Sequence, residues 1–336
     1  MLYRKLGKTG LKVSVVGLGG IPIQRVNQDE AVEIIKECKN QGINFIDTAR
    51  GYSVSEEYIG RGLKEVGRDS FYIATKAPSF TCEDMKKSIE TSLKKLDVDY
   101  IDLYQVHNAS KQWQIDSVIS EDGALKALIE AKKEGKIRHV GITSHNKDIL
   151  AQALEYPEFE TIQFPFNPIE NQGIDVFEEA KEKNIGIIGM KPIAGGVFRE
   201  AQLSLRYIIN SEMITIAIPG MDSVEQVVEN AYAGKEMIPL TDEETGLIEK
   251  EVKELGEDFC RRCGYCTPCS QGINIPLMMV LENYVKRYNL ADWAVDRYGA
   301  QENKASDCIE CGICETRCPY SIPIINRLKS VRATFE

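Results

Sequence analysis

The chain has 336 residues, with 41 lysines and arginines against 51 aspartates and glutamates, a net charge of −10. That acidity argues against binding nucleic acid or an anionic membrane through bulk charge, and no apolar run reaches the roughly 20 residues of a membrane span. Residues 1–7 carry no apolar signal-peptide core, so the expectation is a soluble cytoplasmic protein with room for one large and one small domain.

The first 235 or so residues alternate strand and helix signals. After a glycine-punctuated opening, 13–18 reads as a first strand. Residues 29–40 follow with Ala31, Ile34, Ile35 and Cys38 on one helical face. Strand 43–46 precedes helix 55–66, and strand 71–74 precedes helix 82–96. Strand 100–106 leads through a long loop, 108–122, to helix 124–134, which Gly135 ends. Four more pairs follow: 139–142 with 147–154, 161–164 with 175–183, 185–190 with 203–209, and 215–218 with 224–233. Eight strand–helix units with short apolar strands predict an α/β fold, a closed (β/α)8 TIM barrel. An open doubly wound sheet is the alternative. The unit count and the lack of Gly-x-Gly-x-x-Gly after the first strand weigh against it. Residues 234–257 read as a linker plus helix. The stretch 273–303 looks helical, with Leu277, Val280, Leu281, Tyr284 and Val285 supplying its apolar positions. The expected division is a barrel over 1–240 and a small, mainly helical domain over 241–336.

The ten cysteines are unevenly spread. Cys38 and Cys82 stand alone and read as ordinary helix residues. The other eight lie between positions 260 and 318, a clustering that in a reducing compartment points to metal ligation. Cys308-x2-Cys311-x2-Cys314-x3-Cys318-Pro319 is the bacterial ferredoxin run, in which three thiolates hold one cubane and the fourth serves a second. Cys260-x2-Cys263-x2-Cys266-x2-Cys269 supplies four more thiolates, its last spacing one residue short. The expectation is two 4Fe–4S clusters with an exchange of ligands. Cys260, Cys263 and Cys266 join Cys318 on one, and Cys308, Cys311 and Cys314 join Cys269 on the other. Two four-cysteine zinc sites, or one cluster beside a degenerate motif, are the alternatives. The segment 260–325 resembles the ferredoxin-type domains, and its helical spacer is similar to their alpha-helical variety.

Polar residues also collect where barrel strands end. These are Asp47 and Tyr52 in Asp47-Thr48-Ala49-Arg50-Gly51-Tyr52, Lys76 after Thr75, and His107 after Val106. With Ser55-Glu56-x2-Ile59-Gly60, these phrases resemble the aldo-keto reductase family across residues 3–235, whose tetrad they repeat in order. The resemblance implies reduction of an aldehyde or ketone by hydride from NADP or NAD. Tyr52 would be the general acid, its pKa lowered by Lys76; Asp47 would orient Lys76; and His107 would polarise the carbonyl. His139 and His145 have weaker cases, and His139 reads as a strand-edge residue.

The resemblance also implies a dinucleotide extended over the barrel mouth. Ser144 and Gln163 match positions that hold the carboxamide. His145 replaces the usual asparagine, and Met190 stands where an aromatic ring commonly stacks on the nicotinamide. Pro219, Gly220, Gln226, Glu229 and Asn230 match the phosphate and adenine end. Gly220 and Gln226 replace the lysine and arginine that grip a 2′-phosphate, which leaves NAD as plausible as NADP. A small carbonyl substrate is expected, touched by Trp113 in the 108–122 loop, and an electron-transfer protein partner is a further expectation. The alternative function is an electron-transfer or redox-sensing protein that uses the barrel as a platform.

Overall fold

The chain opens with an antiparallel hairpin of β1 (Tyr3–Lys5) and β2 (Lys12–Ser14), with Tyr3 opposite Ser14. Its Leu6, Leu11 and Val13 pack with Phe45, Ala74, Leu103, Ile188 and Ile216, so the hairpin floors the barrel interior with apolar side chains. The strand expected over 13–18 is therefore divided. β2 ends at Ser14, whose amide donates to Asn44 Oδ1 at 2.7 Å and whose Oγ donates to Val16 O at 2.7 Å. The barrel begins with β3 (Leu18–Gly19). The strand-like run over 13–18 hides this turn, because a side chain from a distant segment makes it.

The computed structural model describes every residue except Val197, Glu257, Asp258, Cys263, Arg287, Tyr288, Asn289 and Pro319. Cys263 and Pro319 of the cysteine motifs thus lie outside the described residues. Two units are formed, Met1–Gly195 with Glu200–Glu244, and Gly196–Arg199 with Thr245–Glu336. Among the described residues no helix is long and apolar enough to cross a membrane.

In the first unit β3 is followed by α1 (Gln28–Asn40), β4 (Phe45–Asp47), α2 (Ser55–Val66), β5 (Tyr72–Ala77) and α3 (Cys82–Leu96). Then come β6 (Ile101–Val106), α4 (Gln112–Ile119), α5 (Ala124–Lys133), β7 (Ile137–Thr143) and α6 (Lys147–Ala153). The series ends with β8 (Thr161–Pro165), α7 (Ile174–Glu182), β9 (Gly186–Met190), α8 (Ala201–Ile209), β10 (Ile216–Ile218) and α9 (Val224–Ala233). The eight strands β3 to β10 pair in parallel and in chain order. Bridges Val16–Ala217 and Gly19–Gly220 join the two ends of the sheet, with Gly17 N donating to Ala217 O at 2.8 Å. The (β/α)8 barrel is thereby closed.

Local sequence explains the helix limits. Asn27 and Glu30 form a reciprocal capping box on α1, and Thr81 and Ser223 cap α3 and α9. Cys38 lies buried on the inner face of α1, and Cys82 opens α3, as ordinary helix residues. The expected 108–122 loop contains α4, which buries Ile115 and Val118. Two buried apolar positions in eight residues are too faint a period to read from sequence.

Helix α10 (Asp242–Gly256), most of it in the second unit, leads to the cysteine region. The spacer expected to be helical is two helices, α11 (Ile275–Lys286) and α12 (Ala291–Gly299). A short α13 (Ile313–Thr316) and α14 (Ile324–Phe335) complete it. The core is Met278, Met279, Leu281, Ala294, Leu328 and Val331, with Tyr298 stacked on Phe335 at 4.4 Å. Glu282 is buried in it but carries ion pairs to Arg327 at 2.7 Å and Lys286 at 2.6 Å. A charge can stay in a core only with such partners.

Candidate functional site

Side chains two apart on a strand share a face, and this places the site. Phe45, Ala74 and Leu103 fill the barrel interior, so Asp47, Lys76 and Gln105, two residues further on, face the same interior nearer the strands' carboxyl ends. All three are buried. Lys76 Nζ is hydrogen-bonded to Asp47 Oδ2 and donates to Thr48 O at 2.8 Å. Gln105 Nε2 donates to Gln163 Oε1 at 2.9 Å and lies 3.3 Å from Asp47 Oδ1. Gly141, the neighbour of Gln105 on β7, leaves the space that this layer needs. A Cβ there would lie 2.2 Å from Thr161 Oγ1 and 3.0 Å from Gln105 Cγ. The sequence reading missed Gln105. Its signal was the parity of Leu103, Gln105 and His107 along one strand.

Tyr52 sits on the loop after β4, and the motif around it explains how it is held. Arg50 N donates to Lys76 O at 2.9 Å, Ser55 N to Tyr52 O at 2.8 Å and Ser55 Oγ to Gly20 O at 2.8 Å. Buried Glu56 accepts from Thr75 Oγ1 at 2.8 Å and pairs with Arg50 at 3.1 Å. Ser55 and Glu56 thus anchor the tyrosine loop to β3 and β5. Lys76 Nζ lies 5.1 Å from the Tyr52 ring centroid, and the His107 ring meets Tyr52 edge-on with centroids 5.8 Å apart. Asp47, Tyr52, Lys76 and His107, from three strand ends and one loop, are brought together.

The electrostatics differ from expectation in one respect. Burial disfavours the Lys76 ammonium, but Asp47 and Tyr52 outweigh it and hold the lysine above its usual pKa. Burial pushes the Tyr52 phenol up, and the pull of Lys76 does not overcome it, because Asp47 beside the lysine pushes up as well. The expected lowering of Tyr52 is therefore corrected: its pKa lies above the ordinary tyrosine value. Burial and the charges of Lys76 and Lys191 push His107 down to about 3, so its imidazole is neutral at physiological pH. Lys191, just past β9 with φ +55°, was also missed; its Nζ lies 3.3 Å from His145 Nε2. His139 pairs with Glu160 at 2.8 Å on β7, as a strand residue.

The residues matched to a dinucleotide fall into two groups. Ser144, His145, Gln163 and Met190 lie at the carboxyl ends of β7, β8 and β9. Ser144 is buried, and its Oγ accepts from Asn146 N at 2.9 Å. Pro219, Gly220, Gln226, Glu229 and Asn230 lie on the turn after β10 and on α9. Pro219 O accepts from Gly19 N at 2.8 Å, Asn230 is buried and Glu229 is exposed. A Cβ on Gly220 would lie 2.7 Å from Pro22 Cγ, so the turn has no room for a side chain there. Gln226 folds back, its Oε1 accepting from Asp222 N at 2.9 Å, and Asp222 faces Arg25 at 3.5 Å. Trp113, on α4, is 58% exposed and meets Phe80 edge-on at 5.5 Å, beside the rim rather than in the tetrad.

In the second unit one cavity of about 250 Å³ is lined by Cys266, Cys269, Cys308, Cys311 and Cys314, with Ile309, Ile313 and Arg317. A water occupies about 30 Å³ of liquid, so this space exceeds what one ion needs. Among the described residues, no three ligating side chains converge on a single-ion position. Glu310 and Gly312 adopt positive φ, curling 308–314 around the cavity. Gln271 N donates to Cys269 Sγ at 3.4 Å. These residues fit a multi-iron cluster. Cys260 and Cys318 are half-buried against the same small core.

Comparisons with known proteins agree with both halves. Residues 15–204 match the family model of the aldo/keto reductases, and residues 259–323 match that of a 4Fe-4S dicluster domain. L-galactose dehydrogenase of Arabidopsis thaliana is 31% identical over 74% of this chain and 93% of its own. Aldo-keto reductase YhdN of Bacillus subtilis is 32% identical over 51% of this chain and 56% of its own. The holo form of an aldo-keto reductase from Bacillus halodurans superposes with a TM-score of 0.66 at 26% identity, covering 75% of this chain and 96% of that one. The chain belongs to the aldo/keto reductase family, with a 4Fe-4S dicluster domain following the barrel in sequence.

Proposed function

We propose that the protein reduces an aldehyde or ketone with NADH or NADPH in the barrel and passes single electrons through two 4Fe–4S clusters. What carries the first half is the buried Lys76–Asp47 pair beside Tyr52, with neutral His107 against the same ring. Ser144, Gln163 and Met190 would hold a nicotinamide, which would supply hydride to the carbonyl carbon. The carbonyl oxygen then carries the charge, and Tyr52 donates its proton there, giving the alcohol. Lys76 stabilises the phenolate that remains, and Asp47 holds Lys76 charged. Neutral His107 has an N–H to offer the oxygen as its charge develops. The relative named L-galactose dehydrogenase makes a sugar a reasonable member of the test panel.

The turn after β10 favours NADH. Gly220 has no space for a cationic side chain, Gln226 is spent on the α9 cap and Asp222 places a carboxylate nearby. A 2′-phosphate there lacks its charge-assisted partners. For the clusters, Cys260, Cys263, Cys266 and Cys318 would hold one, and Cys269, Cys308, Cys311 and Cys314 the other. Four of the five cysteines around the cavity are those assigned to the second set. Hydride moves two electrons and a cluster one, so the clusters serve a one-electron partner.

The test follows NADH or NADPH oxidation against a panel of aldehydes, ketones and sugars, wild type against Tyr52→Phe. Carbonyl-dependent turnover that the variant loses is the expected result, and no turnover beyond that of the variant sinks the reductase reading. Iron and acid-labile sulfide on anaerobically purified protein test the clusters, with about eight of each per chain expected for two cubanes.

A further inference from the structure

We propose that Gln105 is a positioning residue that ties the nicotinamide end of the site to the Lys76–Asp47 pair. This rests on the reading that Gln163 would hold the carboxamide of a nicotinamide. One amide nitrogen makes both links. Gln105 Nε2 donates to Gln163 Oε1 at 2.9 Å and lies 3.3 Å from Asp47 Oδ1. Asp47 is bonded through its other oxygen to Lys76. Hydrogen bonds therefore join β8, β6, β4 and β5 across the barrel interior, and all four side chains are buried.

The bond to Gln163 also sets a direction. A glutamine amide has a donating and an accepting end, and either can face a given partner. By occupying Gln163 Oε1, Gln105 turns the NH2 of Gln163 towards Asp47, to which it lends a hydrogen bond. Burial pushes the Asp47 carboxyl up, and Lys76, Gln163 and Gln105 oppose the rise. The end of Gln163 offered to a ligand and the hold on the Asp47 carboxylate thus depend on one side chain.

Packing does not ask for an amide at this position. Leu103, two residues back on β6, fills the layer below with an apolar side chain. Gln105 instead leaves its own Oε1 without a hydrogen-bond partner among the described residues. A residue kept only for packing would not carry that cost. Gly141 is paired with it on β7, and a Cβ there would lie 3.0 Å from Gln105 Cγ. What the amide adds over an apolar side chain is its N–H donors, and these point at Asp47 and Gln163.

The experiment measures NADH binding to the full-length protein by calorimetry, in wild type, Gln105→Met, Gln163→Met and the double variant. Methionine keeps the length of the side chain and removes the donors. Gln105→Met should weaken NADH binding by roughly fivefold. In the Gln163→Met background the same change should cost less than about twofold, because Gln105 acts through Gln163. Ser144 and the α9 residues would still hold the nucleotide there. The single-turnover rate of carbonyl reduction at saturating NADH should also fall in Gln105→Met, by roughly fivefold, as Asp47 loses a donor. Unchanged NADH affinity in Gln105→Met overturns the proposal. So does an equal loss in both backgrounds, which general loosening of the barrel would give, or an unchanged single-turnover rate. Should Gln105→Met fail to fold, Gln105→Asn, which withdraws the same amide by one methylene, replaces it under the same criteria. Wild type that binds NADH but reduces no carbonyl refutes the reductase reading, and the binding cycle still decides the role of Gln105. Wild type that binds no nucleotide removes the nicotinamide reading and this proposal with it.

Discussion

The barrel mouth and the cysteine region solve opposite problems. At the barrel mouth the polar groups hold one another. Lys76, Asp47, Thr48, Gln105 and Gln163 form a buried network of protein–protein hydrogen bonds, with Gln105 Oε1 left without a partner among the described residues. In the second unit the functional groups are sulfurs around a space, and the small core beside them is itself partly built of cysteines. A prebuilt network fixes geometry by protein–protein bonds, so its failure is a protein defect. A ligand shell depends on the group it encloses, so its failure is a loss of metal and of fold together.

The largest effect should come from breaking the buried ion pair. Lys76→Met leaves Asp47 buried without its cation, a loss of about 3–5 kcal/mol by the general behaviour of such pairs. It should also cost reduction on the order of 10² or more, because Tyr52 loses the cation that stabilises its phenolate. A melting curve and carbonyl-dependent NADH oxidation check both, while iron content should hold. The wild-type rate should stay level through neutral pH, because Tyr52 sits above the ordinary tyrosine value and remains protonated. It should decline only as pH rises past that raised value. A decline near neutrality would show that Lys76 prevails over burial.

Cys311→Ala attacks the other region. It removes a proposed ligand and should lower iron by roughly half, about four per chain. Carbonyl reduction by the barrel should survive. Loss of that activity with the iron would show that the two chemistries are not separable in the way the comparison implies.

Legibility in sequence follows the same divide. The cysteine motif is local: two residues lie between successive ligands, or three between Cys314 and Cys318, so spacing alone reveals it. The tetrad is assembled from positions 47, 52, 76 and 107, and only the strand-end rule with the family pattern finds it. Helices α2, α3 and α9 were readable to the residue, because the apolar period meets a cap at one end of each, Gly67 after α2, Thr81 before α3 and Ser223 before α9. The break between β2 and β3, the short α4 and Gln105 were not. Each depends on a partner distant in sequence or on too few apolar positions. The direction of the Tyr52 shift was also hidden, since burial is a property of the fold.

A smaller effect sharpens the nucleotide assignment. NADH should be preferred to NADPH by about tenfold, the worth of one charge-assisted bond of about 1.4 kcal/mol. Initial rates with each nucleotide decide this. Equal or better use of NADPH would mean that Arg25 leaves Asp222 to hold the phosphate.

The last effect is a pH dependence confined to the barrel. His107 has a folded pKa of about 3 against about 6.5 when unfolded. Between these values the unfolded chain binds a proton that the folded chain does not, so stability falls as pH drops from 6.5 towards 3. The slope for one such group approaches about 1.4 kcal/mol per pH unit. Glu160 is held at about 2: burial opposes this, but His139 and Lys132 prevail. Its contribution is complete above the unfolded value of 4.5 and is lost as pH falls from there towards 2. The two windows separate the groups, because between pH 6.5 and 4.5 His107 acts and Glu160 does not. Urea midpoints of the barrel transition should therefore fall across that interval in wild type and flatten in His107→Gln. Glu160→Gln should keep the upper slope and make only the lower one shallower, because His107 still acts there. An unchanged upper slope in His107→Gln would place the acid-sensitive group elsewhere and remove the basis for a neutral imidazole against Tyr52.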